Sequence, residues 1–235
     1  MPDINEKIEK AIHRLKVFEP PEGYWLAFSG GKDSQTVYHL AKIAGVRFEA
    51  HYSVTSVDPP ELVRFIRADY PDVTFDIPRD DAGKPITMWR LIAEKKMPPT
   101  RLIRYCCKEL KESGGTDRVV ITGVRWAESS RRKSSHGIVD FNSVNKRERD
   151  AILESGLPVE QLRSNLVLND DNDENRRAVE MCYRTRKMMV NPIVDWTEEE
   201  VWTFLNDVAK VPHCCLYDEG QKRIGCIGCP MAGTR

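Results

Sequence analysis

The sequence predicts an α/β fold with a doubly wound, mostly parallel sheet and helices on both faces. Short apolar strands alternate with amphipathic helices along most of the 235 residues. In addition, an apolar strand over 24–28 runs straight into Ser29-Gly30-Gly31-Lys32-Asp33-Ser34, which opens a helix. Such alternation puts helices over parallel strands and ligands at the carboxyl ends of those strands. The length fits a single domain over 1–235.

The elements of the first half follow from hydrophobic spacing and turn residues. Apolar positions at helical spacing predict a helix over 4–17, which ends before Pro20-Pro21-Glu22-Gly23. The helix after the loop closes at Gly45, since glycine suits the residue that follows a helix. The remaining elements of this half are a strand over 47–55, a helix over 61–69, a strand over 73–77 and a helix over 86–96.

In the second half, Val119 to Val124 is a continuous apolar run, as buried parallel strands are. Residues 140–188 are rich in Asn, Asp and Arg, and we interpret them as an insertion with a helix from Glu174 to Met189. Order resumes at Asn191-Pro192-Ile193-Val194-Asp195-Trp196. Thr197 and Glu200 then predict a capping box at the start of a helix.

Composition describes an ordinary globular protein, with 40% hydrophobic and 31% charged residues. No apolar run approaches the ~18–20 residues that span a bilayer. The first residues are polar and do not resemble a signal peptide. We therefore expect a cytoplasmic protein with no membrane contact.

Positive charge is local rather than global. Lys+Arg and Asp+Glu both total 36, so a strongly basic nucleic-acid-binding surface is not indicated. The local basic clusters either face solvent or bind phosphates, and the sequence leaves both open. They comprise Arg125 with Arg131, Arg132 and Lys133, then Lys146, Arg147 and Arg149, then Arg184, Arg186 and Lys187.

The loop Ser29–Ser34 has the composition of a polyanion cradle. Two adjacent glycines allow a turn that exposes backbone amides, which add to the positive end of the following helix. Lys32 contributes a cation, and Ser29 and Ser34 contribute hydroxyls. The spacing is not that of a Walker A loop. The alternative is an ordinary Gly-Gly turn before a helix.

The seven cysteines predict metal ligation rather than disulfides. Vicinal pairs together with a Cys-x-x-Cys are typical of soft-metal or iron–sulfur sites. A structural zinc, or no metal at all, stays open. The cysteines are Cys106-Cys107, Cys182, Cys214-Cys215, and Cys226 with Cys229.

Five segments in order carry a resemblance to a known family: 29–34, 104–111, 123–131, 191–202 and 216–230. Ser29–Ser34 is similar to the PP-loop of the ATP pyrophosphatases. With all five, the chain resembles the phosphoadenosine-phosphosulfate reductase family of that superfamily. The resemblance implies the adenine nucleotide alpha hydrolase-like fold.

The resemblance also implies the residues of a nucleotide site. ATP, or a sulfonucleotide, would contact the loop residues Ser29, Gly30, Gly31, Lys32, Asp33 and Ser34, together with Gly123, Arg125 and Arg131. Lys32, Asp33 and Arg125 would be catalytic, with Mg²⁺ near Asp33. Arginine suits phosphate or sulfate because its planar fork binds two oxygens. Alternatively, Arg125 pairs with a surface carboxylate.

For the cysteines, the resemblance implies that Cys106, Cys107, Cys226 and Cys229 hold a 4Fe–4S cluster. Cys182 is expected to be packed or incidental. Cys214 and Cys215 are either redox or sulfur-carrying thiols or a buried apolar pair. Lys222 and Arg223 either tune the cluster and contact nucleotide or are solvated.

Two departures from the family favour ATP chemistry over sulfonucleotide reduction. The loop motif is intact, which suits a substrate that releases pyrophosphate, and the Glu-Cys-Gly-x-x-His motif of reductases is absent. We therefore expect an ATP pyrophosphatase that adenylates an acceptor for iron–sulfur-assisted sulfur transfer, of the nucleic-acid thiolation or DNA phosphorothioation type. The expected partners are an adenine nucleotide, a nucleic-acid acceptor, a cysteine desulfurase or thiol donor protein, and a second copy in a homodimer.

Two alternatives remain. One is an adenylyl-sulfate or phosphoadenylyl-sulfate reductase in sulfur assimilation. The other is a non-catalytic nucleotide-binding or redox-sensing subunit. Product assays distinguish the three functions. An ATP pyrophosphatase releases pyrophosphate from ATP, a sulfonucleotide reductase releases sulfite, and a non-catalytic subunit binds nucleotide without turnover.

Overall fold

The computed structural model describes residues 3–111, 114–141, 149–150, 153–154, 156, 158–162, 165–169 and 188–232. The chain divides into two compact units. Unit 1 comprises Met1–Ala27, Lys32–Glu49 and Gly115–Val211. Unit 2 comprises Phe28–Gly31, Ala50–Gly114 and Pro212–Arg235. One domain over 1–235 stays a prediction.

The helices and strands from α1 to α4 follow the predicted order along the first half of the chain, and α5 is a helix that the sequence did not predict. These elements are α1 (Ile4–Val17), β1 (Tyr24–Ala27), α2 (Lys32–Ala44), β2 (Phe48–Ser53), α3 (Pro60–Asp69), β3 (Thr74–Asp76), α4 (Met88–Lys95) and α5 (Tyr105–Leu110). Later elements are β4 (Val119–Ile121), α6 (Ser130–Lys133), β5 (Val139–Phe141), β6 (Val159–Leu162), β7 (Asn165–Leu168), β8 (Met188–Val190) and α7 (Glu198–Thr203). Short 3-10 helices cover Trp126–Glu128 and Cys215–Tyr217.

The strands form one eight-stranded sheet in the order β3-β2-β1-β4-β8-β5-β7-β6. The pairs β2/β3, β1/β4 and β4/β8 are parallel. The pairs β5/β8, β5/β7 and β6/β7 are antiparallel. The predicted α/β fold with a mostly parallel sheet is confirmed. No helix in the described part of the chain is long and apolar enough to cross a membrane.

The described residues of 140–188 include strands that the sequence did not predict, and the insertion itself stays a prediction. These residues include most of β5 and all of β6 and β7, which extend the same sheet. These strands have only three or four residues each, too few for an alternating pattern to identify a strand. Met188 and Met189, the predicted end of the helix, lie in β8, and 170–187 lie outside the described residues.

Unit 1 has an apolar core between its first helices and its strands. Leu15, Tyr24 and Leu26 are fully buried. The Tyr24 hydroxyl donates to the Leu15 carbonyl at 2.7 Å, which satisfies a polar group that would be costly to bury alone. Trp196 and Phe204 pack edge to face with their ring centroids 5.8 Å apart.

Unit 2 has its own core around α3 and α4. Ile66 of α3 is fully buried, and the rings of Phe28 and Tyr70 lie 4.8 Å apart. A second cluster comprises Met88, Leu91 and Leu110, with Val57, Ile86, Ile92, Tyr105 and Cys106 packed against it. Because α5 rests on this cluster, the core fixes the position of the first cysteine pair.

Charged side chains anchor α1 within unit 1. Arg14 is buried and donates to Asp195 Oδ1 at 2.7 Å and to the Pro192 carbonyl at 3.0 Å. Lys7 Nζ donates to Asp195 Oδ2 at 3.3 Å. Burial acts to raise the pKa of Asp195, but Arg14 and Lys7 outweigh it and hold that pKa below its usual range.

This anchor predicts a pH-dependent contribution to stability. Because the pKa of Asp195 is lower in the folded chain, its ionised carboxylate stabilises the fold at pH values above the unfolded pKa of about 4. This contribution is lost as the pH falls through the folded pKa. We expect Asp195→Asn to lower the free energy of unfolding near pH 7 by about 1–3 kcal/mol, because Arg14 loses a charged partner.

Urea unfolding between about pH 7 and pH 3 measures this contribution, and the difference from the wild type should shrink on acidification. The matched control is Glu61→Gln, since Glu61 pairs with Arg64 at an exposed site on α3. A difference that stays constant over the whole pH range would contradict the prediction.

Candidate functional site

The loop after β1 is built around a glycine that no other residue can replace without strain. Gly30 has a φ of +70°, in the left-handed region. A Cβ at this position would lie 2.7 Å from the terminal methyl carbons of both Leu62 and Ile66 on α3. Both the backbone conformation and the space therefore require glycine here, and replacing Gly30 would disturb the unit 2 core as well as the loop.

The second loop glycine is surrounded by hydroxyl groups. A Cβ on Gly31 would lie 3.4 Å from both Ser29 Oγ and Tyr217 Oη. The Gly31 amide donates to Ser29 Oγ at 3.4 Å. Ser29 is exposed, whereas Ser34, in the first turn of α2, is buried. Two hydroxyl groups, those of Ser29 and Tyr217, therefore lie beside the second glycine, and binding of an oxyanion by the loop stays a prediction.

Lys32 begins α2 and carries a buried charge. Its side chain is only 3% exposed, and its Nζ lies 3.6 Å from Glu198 Oε1 at the start of α7. A buried ammonium needs an anionic partner, which is either a carboxylate or a phosphate. Sequence reasoning missed Glu198, because nothing in the local pattern of α7 indicates contact with a residue so distant in the chain.

Asp33 and Arg125 form a short ion pair in unit 1. Arg125 Nε donates to Asp33 Oδ1 at 2.6 Å, and Arg125 Nη1 donates to the Trp196 carbonyl at 3.4 Å. Arg125 is 2% exposed. Of the two alternatives for this arginine, the structure has it paired with a carboxylate, although with the loop aspartate. Its contact with a nucleotide stays a prediction.

Gly123 permits the close approach of the β4 end to the first turn of α2. A Cβ on Gly123 would lie 2.8 Å from the carbonyl carbon and 2.9 Å from the carbonyl oxygen of Asp33. Backbone atoms cannot move aside as a flexible side chain can, so this position also requires glycine. The predicted site residues Lys32, Asp33, Gly123 and Arg125 therefore lie together in unit 1.

Residues 125–132, here called the arginine strip, are arranged around Glu128. Its Oε1 accepts a hydrogen bond from the Arg125 amide at 3.3 Å and pairs with Arg132 at 3.1 Å. Arg131 is exposed on α6. Glu128 therefore orders the strip, and a role for Arg131 in nucleotide binding stays a prediction.

The four cysteines predicted to bind a cluster lie in unit 2. Cys106 and Cys107 are on α5, and Cys226 and Cys229 span a turn in which the Cys229 amide donates to the Cys226 carbonyl at 3.2 Å. All four are free thiols and half-buried. Burial raises the pKa of Cys106, and Cys107 and Cys226 raise it further, so the two segments interact electrostatically.

Polar residues that sequence reasoning missed surround Cys226. Its Sγ lies 3.4 Å from Thr55 Oγ1 and 3.8 Å from Asp58 Oδ1. Burial acts to lower the pKa of Lys111, but Cys226 and Asp58 raise it on balance. Cys226 therefore has a hydroxyl, a carboxylate and an ammonium as polar neighbours.

The donor set fits an iron–sulfur cluster by its chemistry, because thiolates from two segments are the usual ligands. Among the described residues, no group of three or more His, Cys, Asp or Glu side chains is gathered closely enough to hold a metal ion. The cluster, and the convergence of all four sulfurs on it, therefore stay predictions.

The remaining cysteines differ in exposure. Cys214 is fully buried, and burial raises the pKa of its thiol. Cys215 is exposed, so the two are not a buried apolar pair. A redox or sulfur-carrying role for either thiol stays a prediction, and Cys182 lies outside the described residues.

Comparison with known proteins identifies the family. Residues 23–232 match the model of the phosphoadenosine phosphosulfate reductase domain. The chain belongs to this family. The resemblance seen in the five sequence segments is thereby confirmed, and the match includes the loop, the arginine strip and the cysteine segments.

The curated relatives of this protein match it only over short stretches. An adenosine 5'-phosphosulfate reductase from Allochromatium vinosum is 42% identical over 45 residues, which are 19% of this chain and 17% of that protein. One from Staphylococcus epidermidis is 34% identical over 59 residues, 25% of this chain and 20% of that protein. The matched stretches therefore span a fifth or less of these curated relatives.

Among solved structures, the phosphoadenylyl-sulfate (PAPS) reductase from Candida auris in a phosphate complex matches with a TM-score of 0.52. The match covers 95% of this chain and 93% of that one, at 14% sequence identity. At this identity the likeness establishes the fold alone.

The first prediction for the site separates strain from crowding at Gly30. Gly45 has the same φ of +70° but nothing within 4 Å of an added Cβ. We expect Gly30→Ala to lose about 1–3 kcal/mol more in free energy of unfolding than Gly45→Ala, because only Gly30 faces packed side chains. Urea unfolding of the two variants measures the difference, and equal losses would refute the packing argument.

The second prediction concerns the strength of the Asp33–Arg125 pair. A double-mutant cycle with Asp33→Asn and Arg125→Gln should give a coupling of about 1.5–3 kcal/mol, because the bond is charge-assisted and Arg125 is buried. The same cycle for Glu61 and Arg64, which are exposed on α3, should give about 0.5 kcal/mol or less. Equal coupling energies for the two pairs would show that burial does not strengthen the Asp33–Arg125 pair.

Proposed function

We propose that this family member is an ATP pyrophosphatase that adenylates an acceptor and so prepares it for sulfur transfer. The observation that supports it is the intact loop Ser29–Ser34, in which hydroxyls surround Gly31 and a buried Lys32 opens α2. A glycine-rich turn with a helix start and a cation suits a polyphosphate. The triphosphate of ATP presents more phosphate groups to these donors than the 5'-phosphosulfate of a sulfonucleotide.

In the proposed reaction an acceptor oxygen attacks the α-phosphorus of ATP. The bond from that phosphorus to the bridging oxygen breaks, and pyrophosphate leaves. Lys32 and the loop amides bind the departing phosphates, and Glu198 releases Lys32 as they arrive. Mg²⁺ on the phosphates, near Asp33, would spread their charge.

A sulfur nucleophile then displaces AMP from the adenylated acceptor. Cys106, Cys107, Cys226 and Cys229 would hold a 4Fe–4S cluster, and such a cluster supplies soft metal atoms that bind sulfur. Lys111, beside Cys226, would offset part of the negative charge of the thiolates. Lys32 and the Asp33–Arg125 pair belong to unit 1, whereas these four cysteines belong to unit 2.

The acceptor we propose is a nucleic acid. Arg131 and Lys133 are exposed on α6, which follows the arginine strip of unit 1. Exposed basic side chains suit phosphate-backbone contacts. The sulfur would come from a cysteine desulfurase or another thiol donor protein.

A second candidate function is reduction of a sulfonucleotide. The observation that favours it is the pair of short matches to proteins named adenosine 5'-phosphosulfate reductase. In that reaction the sulfate sulfur is reduced to sulfite by a dithiol, and no pyrophosphate forms. Cys214 and Cys215 are the thiols we would then expect to take part.

The experiment compares the two reactions directly. We expect pyrophosphate and AMP from ATP, slowly or not at all until transfer RNA or DNA is added. We expect negligible sulfite from adenylyl sulfate or phosphoadenylyl sulfate with thioredoxin. Lys32→Met should weaken ATP binding at least about tenfold, which corresponds to about 1.4 kcal/mol, because the triphosphate loses a buried cation.

The matched control is Lys42→Met, since Lys42 is an exposed lysine on the same helix. It should bind ATP as the wild type does. Robust sulfite release that disappears in a Cys214→Ser/Cys215→Ser variant would reverse our ranking. Nucleotide binding without either product would indicate a non-catalytic subunit.

A further inference from the structure

A buried hydrogen-bond network joins the carboxyl ends of two parallel strands in unit 1. Thr122 directly follows β4 and Asn191 directly follows β8. The Thr122 hydroxyl donates to the Asn191 side-chain oxygen, and Asn191 is fully buried. Ligands of open α/β sheets bind at this edge. The network therefore lies where a reacting group is expected.

The network ends on a fully buried carboxylate, that of Asp140. Asn191 Nδ2 donates to Asp140 Oδ2 at 2.9 Å, and the Gly137 amide donates to Oδ1 at 2.8 Å. His136 Nδ1 lies 2.6 Å from Oδ2. A buried carboxylate is costly unless donors satisfy both oxygens, and here they do.

These bonds determine which ring nitrogen of His136 carries the proton. An ionised carboxylate only accepts hydrogen bonds, so Nδ1 of His136 must donate to Asp140. In the neutral ring this leaves a lone pair on Nε2, which can accept a proton. The ring is 26% exposed, whereas Asp140 is completely enclosed. This is the arrangement of an oriented general base.

The imidazole is also tied to the arginine strip. Trp126 Nε1 donates to the His136 carbonyl at 2.7 Å, and Trp126 follows Arg125 in the chain. At the other end, Thr122 precedes Gly123, the residue that touches the Asp33 backbone. The hydrogen-bonded groups around His136 therefore include Trp126 and Thr122, whose chain neighbours Arg125 and Gly123 contact Asp33 in the first turn of α2.

Adenylation of an amide or lactam releases a proton that some group must take. The carbonyl oxygen forms a bond to the α-phosphorus as the bond to pyrophosphate breaks. The neighbouring N–H then loses its proton, and its electron pair completes the C=N bond. A hydroxyl acceptor would also lose a proton, but sulfur displaces AMP far more easily from an activated C=N carbon than from the saturated carbon of an adenylated alcohol.

We propose that His136, oriented by Asp140, accepts this proton at Nε2, and that the acceptor is an amide or lactam group, such as that of a nucleobase. The inference rests on the proposed function and names the substrate class of the same site. Asp140 is a positioning residue, because it holds the ring and stabilises the imidazolium that forms.

The test measures acceptor-dependent pyrophosphate release by the full chain with transfer RNA. His136→Gln keeps a side-chain N–H that can donate to Asp140 but cannot take up the proton. We expect kcat to fall about 100-fold while the KM for ATP changes by no more than about twofold. His13→Gln on α1 is the matched control and should behave as the wild type.

Chemical rescue separates proton transfer from a structural role. Added imidazole should restore at least about a tenth of the lost kcat in His136→Ala, because it can occupy the space and accept the proton. Circular dichroism and urea unfolding verify that the variants fold. Full activity in His136→Gln, a loss confined to the KM for ATP, or no rescue of a folded His136→Ala would overturn the inference.

The design also separates this inference from the proposed function. A wild-type chain that releases no pyrophosphate with any acceptor overturns both. A wild-type chain that releases pyrophosphate, together with an unimpaired His136→Gln, overturns only the role of His136 and the amide or lactam acceptor.

Discussion

The site in unit 1 depends on a backbone contact that leaves no room for a side chain. The end of β4 approaches the first turn of α2 so closely at Gly123 that a Cβ would lie 2.8 Å from the Asp33 carbonyl carbon. Arg125, two residues later, holds the Asp33 side chain at 2.6 Å. Backbone and side chain together fix the start of α2, and with it the position of Lys32. Preorganisation of this kind is what an anion-binding site requires, since donors that must first be ordered lose affinity.

Unit 1 also contains several buried charged side chains. Lys32, Arg125 and Asp140 are all nearly inaccessible, yet each has a partner of opposite charge or several hydrogen bonds. Apolar residues would fill the same space at lower electrostatic cost, so stability alone does not explain these charges. Concentrated buried charge is typical of sites where charge changes during function.

Family membership and chemistry are separate conclusions for this protein. The family match over 23–232 and the fold shared with a reductase at 14% identity establish architecture. One architecture supports several reactions, so the reaction has to be argued from the residues of the site. The intact loop and the buried Lys32 favour ATP, and the His136–Asp140 pair suggests which acceptor loses a proton. The cysteines are compatible with either sulfur reaction.

The sequence by itself determined the parallel strands β1 to β4 and the location of the loop, but it assigned most of β8, the remaining parallel strand, to a helix. Strand 119–121, the helix after the loop and the capping box at Thr197 all rest on local patterns, which a single sequence contains. It did not predict β5 to β7, because three- or four-residue antiparallel strands gain their stability from partners distant in the chain. For the same reason only the tertiary structure decided that Glu198 faces Lys32, that Arg125 pairs with Asp33 and that Asp140 orients His136. Each of these contacts joins residues that no local periodicity relates, and each forms only once the chain is folded.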